Sequence, residues 1–139
     1  MWYRALEVAS QLLLERGARR VIRLDVSIAS HSPLMEPAQQ RFNQAIENIN
    51  IRDPQLSQVV GNVSADFLQD APAIRADLSS QLTSRVRWTE SIQFLAERGV
   101  KTFIEIGSGT VLTGLLRRID RNLAGFALDI PESFEPLLA

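Results

Sequence analysis

A helical pattern that stops at a glycine and passes straight into a run of β-branched residues occurs twice in this sequence, and that repeated device restricts the chain to a layered α/β architecture. Trp2, Leu6, Ala9 and Leu13 recur at helical spacing, and Gly17 follows Glu15 and Arg16 where a left-handed residue would end a helix. Val21, Ile22, Leu24 and Val26 then predict a strand. Downstream, Ser91 to Arg98 read as a helix, Gly99 as its stop, and Lys101 to Ile106 as a strand carrying Phe103, Ile104 and Ile106.

Between the two devices, Ala38, Phe42, Ala45 and Ile49 mark one face of a helix that starts between Ser32 and Pro37 and is broken by Arg52, Asp53 and Pro54. Val59, Val60 and Val63 predict a short strand with Gly61 and Asn62 inside it, and Pro72 opens a helix covering Ala73 to Leu82. Val111 to Ile119 is helical, with Arg117, Arg118 and Arg121 where cations meet the negative end of the helix dipole. Phe126 to Leu128 predict a last strand, and a tail starts at Pro131. The first helix begins at residue 2 without a capping residue, as expected of an element whose partners lie upstream in a truncated chain.

Composition excludes several classes. A chain of 139 residues, 45% hydrophobic and 22% charged, fits one globular domain. A formal charge of −1 with mixed signs argues against nucleic acid or an anionic membrane as the main partner. With no cysteine and one histidine, disulfides, a thiolate nucleophile and a metal site are not expected. The apolar runs are far shorter than the ~18 residues of a membrane span. Glu7, Ser10 and Gln11 interrupt any signal-peptide pattern, so a cytoplasmic location is the default.

Three segments could carry chemistry. His31, the sole histidine, lies in Ser30-His31-Ser32-Pro33-Leu34-Met35 at the start of a helix, where the dipole disfavours the imidazolium and suits a general base. The alternative is a structural histidine. No Gly-x-Ser-x-Gly elbow and no cysteine supplies a nucleophile for such a base. The second segment, Phe103 to Thr110, is a strand leading through Gly107, Ser108 and Gly109 into a helix. It fits a tight turn or, less well, the cofactor loop of a small S-adenosylmethionine-binding protein. Val111 in place of a third glycine, and only about thirty residues beyond it, oppose the cofactor reading. The third, Gln81 to Trp88, places Arg85 and Arg87 beside Trp88, a basic patch or, more simply, a solvated helix cap over a buried Trp.

In order along the chain, His31-Ser32-Pro33-Leu34-Met35, Gly61-Asn62-Val63, Gln81-Leu82-Thr83-Ser84 with Val86-Arg87-Trp88, and Glu105-Ile106-Gly107-Ser108-Gly109 with Val111 to Leu115 resemble the C-terminal portion of the malonyl-CoA:acyl carrier protein transacylases. The acyltransferase domains of polyketide and fatty acid synthases are more distantly similar. The resemblance runs from about Ala5 to Leu128. It implies an α/β-hydrolase-like acyltransferase fold, with residues 1–26 as the last helix and strand of an inserted ferredoxin-like subdomain and residues 27–139 as the C-terminal part of the large subdomain. It further implies His31 as general base, the Gln81 backbone carbonyl orienting it, and substrate contacts from Ser30 and Asn62, with no cofactor.

The implied reaction moves a malonyl group from malonyl-CoA to the phosphopantetheine thiol of acyl carrier protein, in fatty acid or polyketide biosynthesis. The family's serine elbow, oxyanion glutamine loop and malonyl-pairing arginine have no counterpart here and are expected upstream of residue 1. Oxyanion donors alone are worth about 10²–10³ in rate, so this chain by itself is expected to be inactive. An N-terminal half or self-association would cover the surface left open. The rival reading is a non-catalytic remnant or binding piece of the same fold. Ser30 stands where the family often has Phe, a change that accompanies branched extenders in synthase domains and also occurs in discrete transacylases. Arg85 replaces a usual proline, and Ser108 and Thr110 replace the usual proline and lysine of the glycine turn.

Overall fold

The computed structural model describes residues 2–134; for Trp2 and Tyr3 it gives the helical backbone, and the end of the tail expected from Pro131 lies outside the described residues. The chain is mixed α/β. Helices α1 (Trp2–Glu15), α2 (Glu36–Glu47), α3 (Ala71–Leu78) and α4 (Trp88–Glu97) precede strand β1 (Thr102–Ile106), helix α5 (Val111–Ile119) and strand β2 (Ala124–Leu128). One-turn 3-10 helices lie at Pro33–Met35 and Pro131–Phe134.

Both glycine stops form as read, and by the same bonds. At the end of α1, Gly17 has φ 93°, its N–H donates to Leu14 O and the Ala18 N–H donates to Leu13 O. At the end of α4, Gly99 has φ 91°, with Gly99 N–H to Ala96 O and Val100 N–H to Leu95 O. Each pair satisfies carbonyls that the last helical turn would leave open, in the geometry known as the Schellman motif.

The second device continues into a packed β–α–β unit. β1 and β2 are parallel neighbours, with Phe103 opposite Gly125 and Ile106 opposite Leu128. The crossover helix α5 packs on one face of the pair, where Leu116, Ile92 from α4 and Leu123 form the buried core and Trp88, Ala96, Phe103 and Ile119 surround it. A Cβ at Gly125 would lie 2.8 Å from Leu116 Cδ2 and 2.9 Å from Thr113 Cγ2, so glycine sets how closely α5 approaches β2. On the opposite face of the sheet Ile104, Ile106 and Phe126 are exposed, and Leu128 at its end is buried.

The first device does not continue. The strand expected over residues 21–26 is not formed, because no neighbouring chain among the described residues exchanges ladder hydrogen bonds with it. Ile22, Leu24, Val26 and Ile28 are exposed, as are Leu6, Val8 and Leu12 to Leu14 of α1. The strand expected at Val59 to Val63 reduces to a single antiparallel bridge, Val60 with Phe67, around a tight loop. In that loop Ala65 takes the left-handed φ of 54°. The Asp77 carboxylate of α3 holds it, Oδ1 accepting from Val63 N–H and Ser64 N–H at 3.2 Å each.

Two helices end earlier than their patterns predict, each for a visible reason. α2 stops at Glu47 instead of reaching Ile49, and the Arg75 guanidinium donates to the carbonyls of Ile46 and Ile49. α3 starts at an Asp70 cap, whose side chain accepts from Ala73 N–H, and stops at Leu78 instead of Leu82. The Leu82 N–H, which would have donated to Leu78 O one turn back, donates to the Gln39 side chain at 2.7 Å.

Candidate active site around His31

His31 occupies the turn before the 3-10 segment that leads into α2, and it is exposed. Its φ of 62° lies in the left-handed region, which costs an L-residue about 1–2 kcal/mol. Two bonds to one distant segment hold it there. The His31 N–H donates to Leu82 O at 3.0 Å, and its ring Nδ1 lies 3.0 Å from Gln81 O. A carbonyl oxygen can only accept, so Nδ1 carries a proton, and in the neutral ring the lone pair is on Nε2. Ser32 Oγ donates to Ala29 O at 2.7 Å and closes the same turn.

Of the residues marked by sequence, His31 and Gln81 are brought together across 50 positions. Ser30 is next to His31 in the exposed turn. Asn62 is exposed in the loop clamped by Asp77, and its carbonyl accepts from Arg87 N–H at 2.9 Å, while Arg87 Nη1 donates to Ser64 O at 2.8 Å. Among the described residues, neither Ser30 nor Asn62 hydrogen-bonds to the His31 ring.

The basic segment makes its ion pairs within the chain. Arg85 Nη2 and Arg87 Nε approach Glu90 Oε1 in the first turn of α4 at 2.8 and 3.5 Å. The Glu90 carboxyl is held below its ordinary value by its backbone hydrogen bond first, and by the two guanidinium groups after it. Trp88 is half-buried against the core.

The glycine turn also has an internal explanation. The Glu105 carboxylate of β1 reaches the start of α5 and accepts from Leu112 N–H at 3.0 Å and from the Thr113 N–H and hydroxyl at 2.8 Å each. These donors hold the Glu105 carboxyl below its usual value, the Thr113 N–H having the largest effect. The Leu112 and Thr113 N–H groups at the start of α5, which could otherwise face a bound anion, are therefore engaged by the chain itself.

Sequence reading missed Gln39. Its side chain is 2% exposed, and it bonds the segment that holds His31. The available signal was spacing: Gln39 lies seven residues before Ile46, on the buried face of α2.

Fold and site together define an α/β chain that presents one histidine from a strained turn, its ring fixed by a backbone carbonyl. No protein-family model matches the chain. By sequence it is homologous to the C-terminal part of the malonyl CoA-acyl carrier protein transacylases. It is 42% identical to that protein of Bacillus subtilis over 132 residues, covering 95% of this chain and 41% of the relative. To the Escherichia coli K12 transacylase it is 37% identical, covering 96% and 43%. The crystal structure of malonyl-CoA:acyl carrier protein transacylase from Xanthomonas oryzae pv. oryzae matches with a TM-score of 0.88 and 39% identity over 96% of this chain and 42% of that one. The acyl-carrier-protein-S-malonyltransferase of Bartonella henselae matches at 0.87 and 38%, over 97% of this chain and 43% of that one. The chain thus spans about two fifths of the length of these relatives.

Proposed function

We propose that this chain supplies the histidine side of a malonyl-CoA:acyl carrier protein transacylase active site, the nucleophilic serine coming from residues outside these 139. In the first half-reaction the serine hydroxyl attacks the malonyl thioester and His31 Nε2 takes its proton, which leaves with the coenzyme A thiol. In the second, the phosphopantetheine thiol of acyl carrier protein gives a proton to the same nitrogen, attacks the malonyl-serine ester and regenerates the hydroxyl. The observation that carries this reading is the His31 Nδ1 contact with Gln81 O, which does the orienting work that a carboxylate does in other triads and leaves Nε2 open.

Ser30 and Asn62 are the proposed substrate contacts, and Gln81 the orienting group. Residues 1–26 are proposed as the end of a ferredoxin-like small subdomain and 27–139 as the C-terminal part of the α/β-hydrolase-like large one. The exposed apolar residues of α1 and of residues 22–28 support that division. Parallel strands are ordinarily covered on both faces, so the bare side of β1 and β2 is the surface on which the remaining transacylase segment would sit. The curated relatives act under the name of malonyl CoA-acyl carrier protein transacylase, and a further structural match, at TM-score 0.86, is a type II polyketide acyl-carrier protein in complex with its malonyl-transacylase. Fatty acid biosynthesis in the cytoplasm is the proposed setting. No described helix is long and apolar enough to cross a membrane.

The test is malonyl transfer from malonyl-CoA to acyl carrier protein, with this chain alone and then with an N-terminal transacylase segment carrying the serine. Activity is expected only on mixing, and His31→Ala should lower it by about 10²–10⁴, the usual worth of a general base. Undiminished transfer by His31→Ala would overturn the assignment.

A further inference from the structure

The Gln39 amide makes an arrangement that its burial requires to be complete. Nε2 donates to Asn43 Oδ1 at 2.7 Å and to Leu78 O at 3.2 Å, and Oε1 accepts from Leu82 N–H at 2.7 Å. Both donors and the acceptor are used, as a side chain 2% exposed demands. Leu78 O and Leu82 N–H are four residues apart and would have closed one more helical bond. The amide of Gln39 is inserted between them, and the chain leaves the helix there.

The consequence lies on the other side of one peptide bond. Leu82 N–H and Gln81 C=O belong to the same planar peptide unit and point in opposite directions. Gln39 grips the N–H, and the His31 ring sits on the C=O. Turning that plane to release one bond releases the other. The Leu82 carbonyl, one residue on, accepts the His31 N–H, so the segment that Gln39 fastens also holds the histidine backbone in its left-handed turn. Hydrogen bonds in series through a peptide also polarise one another, making Gln81 O a better acceptor.

We propose that Gln39 is a positioning residue for His31: by clamping the 81–82 peptide plane it fixes the Nδ1-protonated tautomer and the direction of the Nε2 lone pair. The value of that tautomer rests on His31 being the general base proposed above, but its existence does not.

The readout is the ring itself. With one histidine in the sequence, the imidazole nitrogens of the ¹⁵N-labelled chain give a single pair of signals that report the tautomer. The Nδ1-protonated form should dominate in the unaltered chain. In Gln39→Met, and in Gln39→Asn, whose amide is one methylene too short to bridge both groups, the tautomer ratio should fall about fivefold, the factor of one ordinary hydrogen bond. Gln39→Glu keeps an acceptor for Leu82 N–H and should restore the ratio. Asn43→Ala removes a Gln39 partner without touching the turn and should leave the ratio unchanged. Circular dichroism identifies the folded variants, and Gln39→Asn carries the test if Gln39→Met does not fold. An unchanged ratio in a folded Met or Asn variant would overturn the proposal, as would an equal fall in Asn43→Ala, which signals general loosening of α2. Because no acyl transfer is measured, failure of the transacylase reading would show separately, as absent transfer on mixing.

Discussion

Replacing Gly61 by alanine should unfasten the loop that carries Asn62, and the structure allows the size of the effect to be worked out. A Cβ there would lie 2.5 Å from Ser64 Oγ and 2.8 Å from Asp77 Cγ, closer than non-bonded atoms approach, so the Asp77 carboxylate must swing away. It then gives up the N–H groups of Val63 and Ser64. At about 1 kcal/mol each these cost roughly 2 kcal/mol, offset by about 0.5 kcal/mol from the stiffer unfolded chain. Asp77→Ala loses the same bonds without a clash and gains slightly in helix propensity, for a cost of roughly 1.5 kcal/mol.

The double variant loses those bonds only once, so it should be no worse than Asp77→Ala, with a coupling energy of about 2 kcal/mol against the sum of the singles. Thermal unfolding followed by circular dichroism measures the cycle. For a chain of this size about 1 kcal/mol moves Tm by roughly 3–5 °C, so Gly61→Ala alone should melt roughly 5–8 °C lower. Strictly additive losses, or a neutral Gly61→Ala, would refute the claim that glycine is required by the carboxylate behind it.

Leu116→Ala, at the centre of the core shared by α4, α5 and β2, should cost about 3–5 kcal/mol in urea unfolding by leaving a cavity under a helix that cannot collapse onto the sheet. Glu105 has a depressed carboxyl pKa, so the folded state binds fewer protons than the unfolded one just below 4.5. Its contribution is full above that value and is lost as pH falls through the folded value. Tm measured against pH should therefore decline more steeply on acidification for the unaltered chain than for Glu105→Gln, and parallel curves would show that the carboxylate is not linked to folding.

What could be read from the sequence was whatever is decided within a helix and its immediate neighbours. Gly99, β1 and α5 form where their residues predict, because the stop, the crossover and the second strand of the pair all lie within one local unit. The equivalent pattern at Gly17 gives a helix stop but no strand, since a strand is a property of two segments and no described strand pairs with residues 21–26. The pairing of His31 with Gln81 was accessible through family resemblance, not through spacing, as 50 residues separate them. Gln39 was legible only as a polar residue in a helix. Its part depends on backbone groups 39 and 43 positions away, which no local pattern encodes. Glu105, an acid between two isoleucines of β1, was the one visible hint that the start of α5 is capped from within.

The backbone angle at His31 bears on how this position should drift over evolutionary time. Glycine takes a φ of 62° without steric cost and asparagine at little, so the backbone angle by itself selects against a histidine there. In a lineage released from the need to move a proton, Gly and Asn are the substitutions that mutation and weak stability selection should accumulate first. A histidine kept in a turn that disfavours it is the mark expected of purifying selection acting on the imidazole, and it separates a working half-site from a decaying one by a single codon.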